Sequence, residues 1–122
     1  MLRNKETNKK GHTVDKTLYE MHAGICAALA NAKRIQIIDL LQDGEKMAGI
    51  LAREMGINKA NLSQHLQLMK SKGIVLSRRD GVSTYYSIAN SKIITACRLM
   101  REVMMEQLEN ISKLQQEYVE RH

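Results

Sequence analysis

The hydrophobic period of this chain changes twice, and those two changes restrict its fold more than any other feature. Up to Gly73 apolar residues recur at helical spacing, about every 3.6 residues, whereas from Ile74 to Ile88 they alternate with a period of about 2 around Asp80-Gly81. From Asn90 onward the helical spacing returns. A hairpin set between helices excludes an all-β fold, and the composition agrees: Pro, Trp and Phe are absent, and eight Met stand against four Tyr. Straight-chain residues of this kind favour helices and fill a core of Leu, Ile and Met. The expected class is mainly α with a β-hairpin (α+β), in one domain, since 122 residues are too few for two independent cores.

Local signals divide the chain further. Residues 1–14 are basic with little to bury, and are expected to form an unstructured N-terminal arm ahead of a folded domain spanning 15–122. With Asp15 as N-cap, Leu18, Met21, Ile25, Ala28 and Leu29 make the apolar face of a first helix, beside a second stripe of Tyr19, His22 and Cys26. Asn31 can cap the next helix, which is expected to bury Ile35, Ile38 and Leu41 with flanking Ile37 and Leu40, keep Lys33 and Arg34 outside, and stop at Gly44. A short helix from Met47 to Met55, Gly56, and a helix capped by Asn58 and stopped at Gly73 form a helix-turn-helix. Ala52 gives the small contact, Gly56 the positive-φ turn and Leu62 the apolar anchor that such a crossing needs. Ile74–Arg79 and Val82–Ile88 then flank the Asp80-Gly81 turn of the hairpin. The closing helix carries Cys97, Met104, Ile111 and Tyr118 at seven-residue spacing, with Ile93, Met100 and Leu114 on the neighbouring seam. Such a stripe calls for a partner helix. Helix-turn-helix followed by hairpin is the order of a winged helix.

From Ala23 to Leu108 the chain resembles the ArsR/SmtB (arsenic-repressor-like) family of winged helix-turn-helix regulators. The resemblance rests on Ala28-Leu29-Ala30-Asn31-Ala32-Lys33-Arg34, Asn61-Leu62-Ser63-Gln64-His65-Leu66, Lys72-Gly73-Ile74-Val75, and Arg78-Arg79-Asp80-Gly81 followed by Tyr85-Tyr86. Ala32 departs from the family, which usually has Pro there. The resemblance implies a homodimer built from the first and last helices, here Leu18, Ile25, Ile93, Cys97, Met100, Met104 and Ile111, and a repressor of transcription bound to a near-palindromic DNA operator.

The residues fit that reading. With Leu62, Leu66 and Met69 turned to the core, the helical step directs Ala60, Ser63, Gln64 and Gln67 outward, where Ser and Gln suit base edges and Lys59 suits phosphate. His65 falls on the flank of the core side. Lys59, Lys70, Lys72, Arg78 and Arg79 lie in a stretch without an acid, and Arg78 and Arg79 place two guanidinium groups on the wing. The excess of Lys and Arg, 19 against 13 Asp and Glu, gives +6 and favours an anionic partner, although many proteins without one share it. A solvated helix face, or a winged-helix adaptor for another protein, is the competing account of the same residues. A regulator without a small-molecule effector is another.

The family's metal sites do not carry over. Met47 stands where the third-helix site has Cys, and Asn90, Lys92, Val103 and Glu106 stand where the last-helix zinc site has its ligands, so neither of the family's usual metal sites is expected, nor any cofactor. Cys26 and Cys97 remain, one on each helix that the resemblance places in the dimer interface, with His22 one turn before Cys26. They are expected to be either buried packing residues or sensor thiols open to disulfide, polysulfide or thiophilic-ion chemistry. An enzyme using Cys26 with His22 lacks an orienting carboxylate and an oxyanion loop. A polar N-terminus and the lack of any apolar run of about 18 residues lead to the expectation of a cytoplasmic chain without a membrane segment.

Overall fold

The computed structural model describes residues 8–122, with side chains from residue 15 onward. Two compact units divide at Ala89 and Asn90. The first contains α1 (Asn8–Leu29), α2 (Ala32–Leu40), β1 (Lys46–Met47), α3 (Ala48–Met55), α4 (Lys59–Ser71), β2 (Val75–Asp80) and β3 (Ser83–Ile88). The second is a single helix, α5 (Ser91–Arg121). The expected class, a mainly helical chain with a β wing, is what the structure has.

Asparagine sets three helix starts by the same chemistry. Asn31 Oδ1 accepts from the backbone N–H groups of Lys33 and Arg34 at 3.0 and 3.2 Å, Asn58 Oδ1 from that of Asn61 at 2.7 Å, and Asn90 Oδ1 from that of Lys92 at 2.9 Å. Each satisfies donors that a first helical turn leaves without a partner. α1 differs from expectation: it begins at Asn8, with Asp15 inside the helix. Residues 8 to 14 hold no proline, the one residue type that would break a helix before Asp15. The rest of the expected arm, residues 1–7, lies outside the described residues.

Ile37, Ile38, Leu41, Leu51, Leu62, Leu66, Met69, Ile74 and Val75 fill the core of the first unit. In α2 the buried side follows Arg34, Ile37, Ile38 and Leu41, a spacing of three, four and seven, which leaves Ile35 40% exposed and Leu40 half-buried. The expected stripe through Ile35 is thus rotated by one residue, and Arg34 turns inward. Between α3 and α4, Gly56 takes φ +67°, and the next N–H, from Ile57, donates back to the Ala52 carbonyl at 3.1 Å. That left-handed residue closes the turn of the helix-turn-helix, where a Cβ would strain the backbone.

The sheet is antiparallel in the order β1-β3-β2. Pairing of Asp80 with Ser83 makes Gly81 and Val82 the two-residue loop, one position later than the Asp80-Gly81 turn read from sequence. Gly81 at φ +63° supplies the positive φ that a tight hairpin turn demands. This register sets Tyr86 opposite Ser77 and Val75 opposite Ile88, and Tyr86 is buried. A slip of one residue would expose it. Among the described residues no helix is long and apolar enough to cross a membrane.

The helices outside this core keep apolar surface. On α1, Ala28 is buried, but Leu18, Tyr19, Met21 and Ile25 are exposed. Every residue of α5 is exposed or half-buried, including Met100, Met104, Ile111 and Tyr118. Asn58→Ala is expected to lower stability by about 1 kcal/mol, as loss of an N-cap does. Urea unfolding of the variant checks it, and an unchanged midpoint would contradict the capping role.

Candidate nucleic-acid interface

α4 presents the outward face. Leu62, Leu66 and Met69 are each at most 1% exposed, so the helix is fixed in rotation with Lys59, Ala60, Ser63, Gln64 and Gln67 all on its exposed side. These are the residues the helical step singles out in sequence. The helix carries no acid, and its first turn holds Lys59 near the backbone N–H groups of the N-terminus. An anion near that turn would meet both. Short amide and hydroxyl side chains beside a cation can hydrogen-bond base edges and phosphate in a major groove.

The wing divides the Arg pair. Arg78 and Arg79 lie on opposite faces of β2, as consecutive strand residues do. Arg78 Nε donates to both carboxylate oxygens of Glu45, at 2.9 and 3.1 Å, with Nη2 on the same carboxylate, and its guanidinium sits 4.5 Å from the Tyr85 ring centroid. Both partners are substantially exposed, so this pair contributes orientation more than stability. The Arg78 guanidinium holds the Glu45 carboxyl below its ordinary pKa of 4.5. Arg79 is exposed near the loop, with Nη2 3.4 Å from the Gly81 carbonyl, and Val82 at the tip is 96% exposed.

Two other basic residues are engaged inside the unit. Lys70 Nζ donates to Ser77 Oγ at 2.8 Å, joining the end of α4 to β2, and the Lys72 side chain passes over Gly24 of α1. The acid-free stretch thus resolves into an outward pair, Lys59 and Arg79, two hydrogen-bonded cations, Lys70 and Arg78, and an exposed Lys72 whose side chain lies along α1 at Gly24. Glu45 escapes the sequence reading because it lies 33 residues from Arg78 and only pairing of β1 with β3 brings the two together.

His65 is half-buried on the flank of α4, with Nδ1 3.3 Å from Nη1 of Arg34. Cys26 and His22 are exposed on α1. Cys97 is half-buried on α5, and burial pushes its thiol pKa up while Arg101 acts in the other direction. Both cysteines are free. The residues assigned to a dimer face, Leu18, Ile25, Met100, Met104 and Ile111, are exposed, and Ile93 and Cys97 are half-buried. Among the described residues no cluster of three or more His, Cys, Asp or Glu is arranged to hold a metal ion.

A helix-turn-helix with a polar outward second helix and a hairpin behind it defines a winged helix-turn-helix domain. The family described as "Bacterial regulatory protein, arsR family" matches residues 31–77, from the cap of α2 into β2. The HTH-type transcriptional regulator Rv0324 of Mycobacterium tuberculosis is 37% identical over 78% of this chain and 42% of its own length. The nodulation protein NolR of Rhizobium meliloti is 37% identical over 62% of each. The chain therefore spans about half the length of these relatives. The solved structure described as the homodimeric winged helix-turn-helix DNA-binding domain Mb0332 of Mycobacterium bovis, fragment 1-100, superposes with a TM-score of 0.73 at 34% identity, covering 90% of this chain and 95% of that one. The chain belongs to the arsR family of bacterial regulatory proteins.

The Glu45–Arg78 pair has a defined pH window. A carboxyl whose folded pKa is depressed adds stability that is complete above its ordinary value of 4.5 and is lost as pH falls through the lowered value. The stability gap between the native chain and Glu45→Gln, measured by urea unfolding across pH, is therefore expected to be widest above 4.5 and to close in acid. A gap that widens in acid would contradict it.

Proposed function

We propose that this chain is a homodimeric transcriptional repressor that binds a near-palindromic operator in duplex DNA, placing the two copies of α4 in successive major grooves about 34 Å apart. The observation that carries this reading is the outward face of α4, polar and free of acids, backed by Leu62, Leu66 and Met69. Ser63, Gln64, Gln67 and the small Ala60 meet base edges, and Lys59 meets phosphate. Arg79 on the wing meets backbone as well, whereas Arg78 reaches a phosphate only by exchanging Glu45 for it. The action is binding and not catalysis, in the compartment that holds the DNA, the cytoplasm.

The second copy covers the exposed apolar residues of α1 and α5, with Leu18, Ile25, Ile93, Met100, Met104 and Ile111 in the shared surface. An account in which the domain is an adaptor for another protein leaves the acid-free face of α4 without a purpose. The homodimeric DNA-binding domain of Mycobacterium bovis supports the dimer. We assign the response to Cys26 and Cys97, free thiols on the same two helices, with His22 one turn from Cys26. Binding of a thiophilic ion such as arsenite with loss of water, oxidation of two thiols to a disulfide by a peroxide that is reduced to water, or their bridging by an inorganic polysulfide that leaves as hydrosulfide, would repack the surface between copies and alter the spacing of the two reading helices.

Gln64→Ala is expected to lose about 1 to 3 kcal/mol of preference for an operator duplex over a random one, as a lost bidentate base contact does, while binding to random DNA persists. Arg79→Ala is expected to weaken binding to every sequence and to reduce the salt slope by about 1. Titrations over a salt series check both, and equal losses on operator and random duplex for Gln64→Ala would overturn the base contact. For the thiols, arsenite or polysulfide is expected to release the native chain from its operator and to leave Cys26→Ser and Cys97→Ser bound. Serine variants released as readily as the native chain would show the cysteines to be packing residues.

A further inference from the structure

Arg34 is absent from the outward face of α4, yet it joins three elements of the first unit. Its backbone N–H donates to Asn31 Oδ1, its Nε donates to the Ala28 carbonyl in the last turn of α1, and its Nη1 points at Nδ1 of His65 on α4. A guanidinium has only donors, so Nδ1 of His65 must accept, which requires a neutral imidazole carrying its proton on Nε2. Burial of the ring, with the positive charges of Arg34 and Lys33, holds the His65 pKa below its ordinary 6.5. Both of those charges come from α2. α2 also carries Asp39, and the other elements packed on α4 bring Arg53 and Glu54 of α3 and Arg78, Arg79 and Asp80 of β2 as their charged residues.

The position of this contact matters for reading. His65 follows Ser63 and Gln64 directly and precedes Gln67 by two residues. Apolar burial of Leu62, Leu66 and Met69 fixes which face of α4 turns outward but tolerates small shifts along the core, whereas a hydrogen bond is directional and resists them. The same guanidinium holds the end of α1 two residues beyond Cys26, on the helix whose Leu18 and Ile25 form the proposed dimer surface.

We propose that Arg34 is the positioning residue of the reading helix: by holding the Ala28 carbonyl and His65 together, it sets the register in which Ser63 and Gln64 meet base edges and ties that register to the last turn of α1. The proposal rests on the DNA-binding reading above for its consequence, though not for its geometry. Protonated His65 has no acceptor to offer and brings a second cation against the guanidinium, so titrating His65 opens the contact without altering any residue that touches DNA.

The test uses the full chain, a duplex selected from a random pool by the native chain, and a random duplex, between about pH 4.5 and about pH 8, the range of histidine extended to the acid side for the lowered His65 pKa. The native ratio of random to selected Kd is expected to fall about three- to tenfold toward acid, the value of one lost hydrogen bond. His65→Gln, which cannot titrate, is expected to hold a ratio independent of pH. Arg34→Lys, which keeps the charge but not the planar fork, is expected to lose discrimination throughout and to bind random duplex as the native chain does. In free native protein, NMR shifts of the amides of residues 59–67 are expected to follow titration of the His65 ring. Amides that ignore that titration, a His65→Gln profile that repeats the native one, or an undiminished ratio in Arg34→Lys would each overturn the proposal. If the native chain prefers no duplex at the alkaline end, the DNA-binding reading falls, and the amide titration alone decides whether Arg34 positions α4.

Discussion

Burial of Leu62, Leu66 and Met69 along one side of α4 is the interaction on which the remaining arrangement depends. These three side chains fix the rotation of a helix whose other residues are polar, and so decide which of them face outward. Without that anchor a sequence such as Ser63-Gln64 is an ordinary helix surface. With it, Lys59, Ala60, Ser63, Gln64 and Gln67 share one exposed face. The elements around α4 hold the same relation from other sides: Gly56 turns the chain from α3, Lys70 reaches Ser77 on β2, and Arg34 reaches His65 from α2.

A small core has a second consequence. The buried residues lie between Ala28 and Tyr86, leaving the apolar stripes of α1 and α5 without cover from their own units. Exposed residues such as Leu18, Met100, Met104 and Ile111 on long helices are costly to leave in water, at about 25 cal/mol per Å² of apolar area. A second copy, as proposed, would remove that cost and at the same time double the reading face, so dimerisation and recognition of a two-fold related site would answer one physical need.

Much of this was legible in the sequence, for identifiable reasons. The capping asparagines, the change of period at Gly73 and the apolar anchors of α4 are local signals, each settled within a few residues, and the outward face follows from them. Signals that depend on distant partners were not legible. β1 is two residues long, too short to show alternation, and exists because Lys46 and Met47 pair with Tyr86 and Tyr85. Arg34 reads as a solvated cation at a helix start, and only the arrival of Ala28 and His65 gives it an inward role. Arg78 reads as a match for Arg79, until the fold brings Glu45 and Tyr85 to it. The turn lies one residue later than Asp80-Gly81 suggests, because burial of Tyr86 fixes the strand register and the loop must accommodate it.

The central claim, that paired copies of this chain read duplex DNA through α4, is tested most directly by hydroxyl-radical footprinting of a duplex selected by the native chain. The account predicts two protected blocks on one face of the duplex, related by a two-fold axis and centred about 34 Å apart. A single block, or protection without two-fold symmetry, would contradict it.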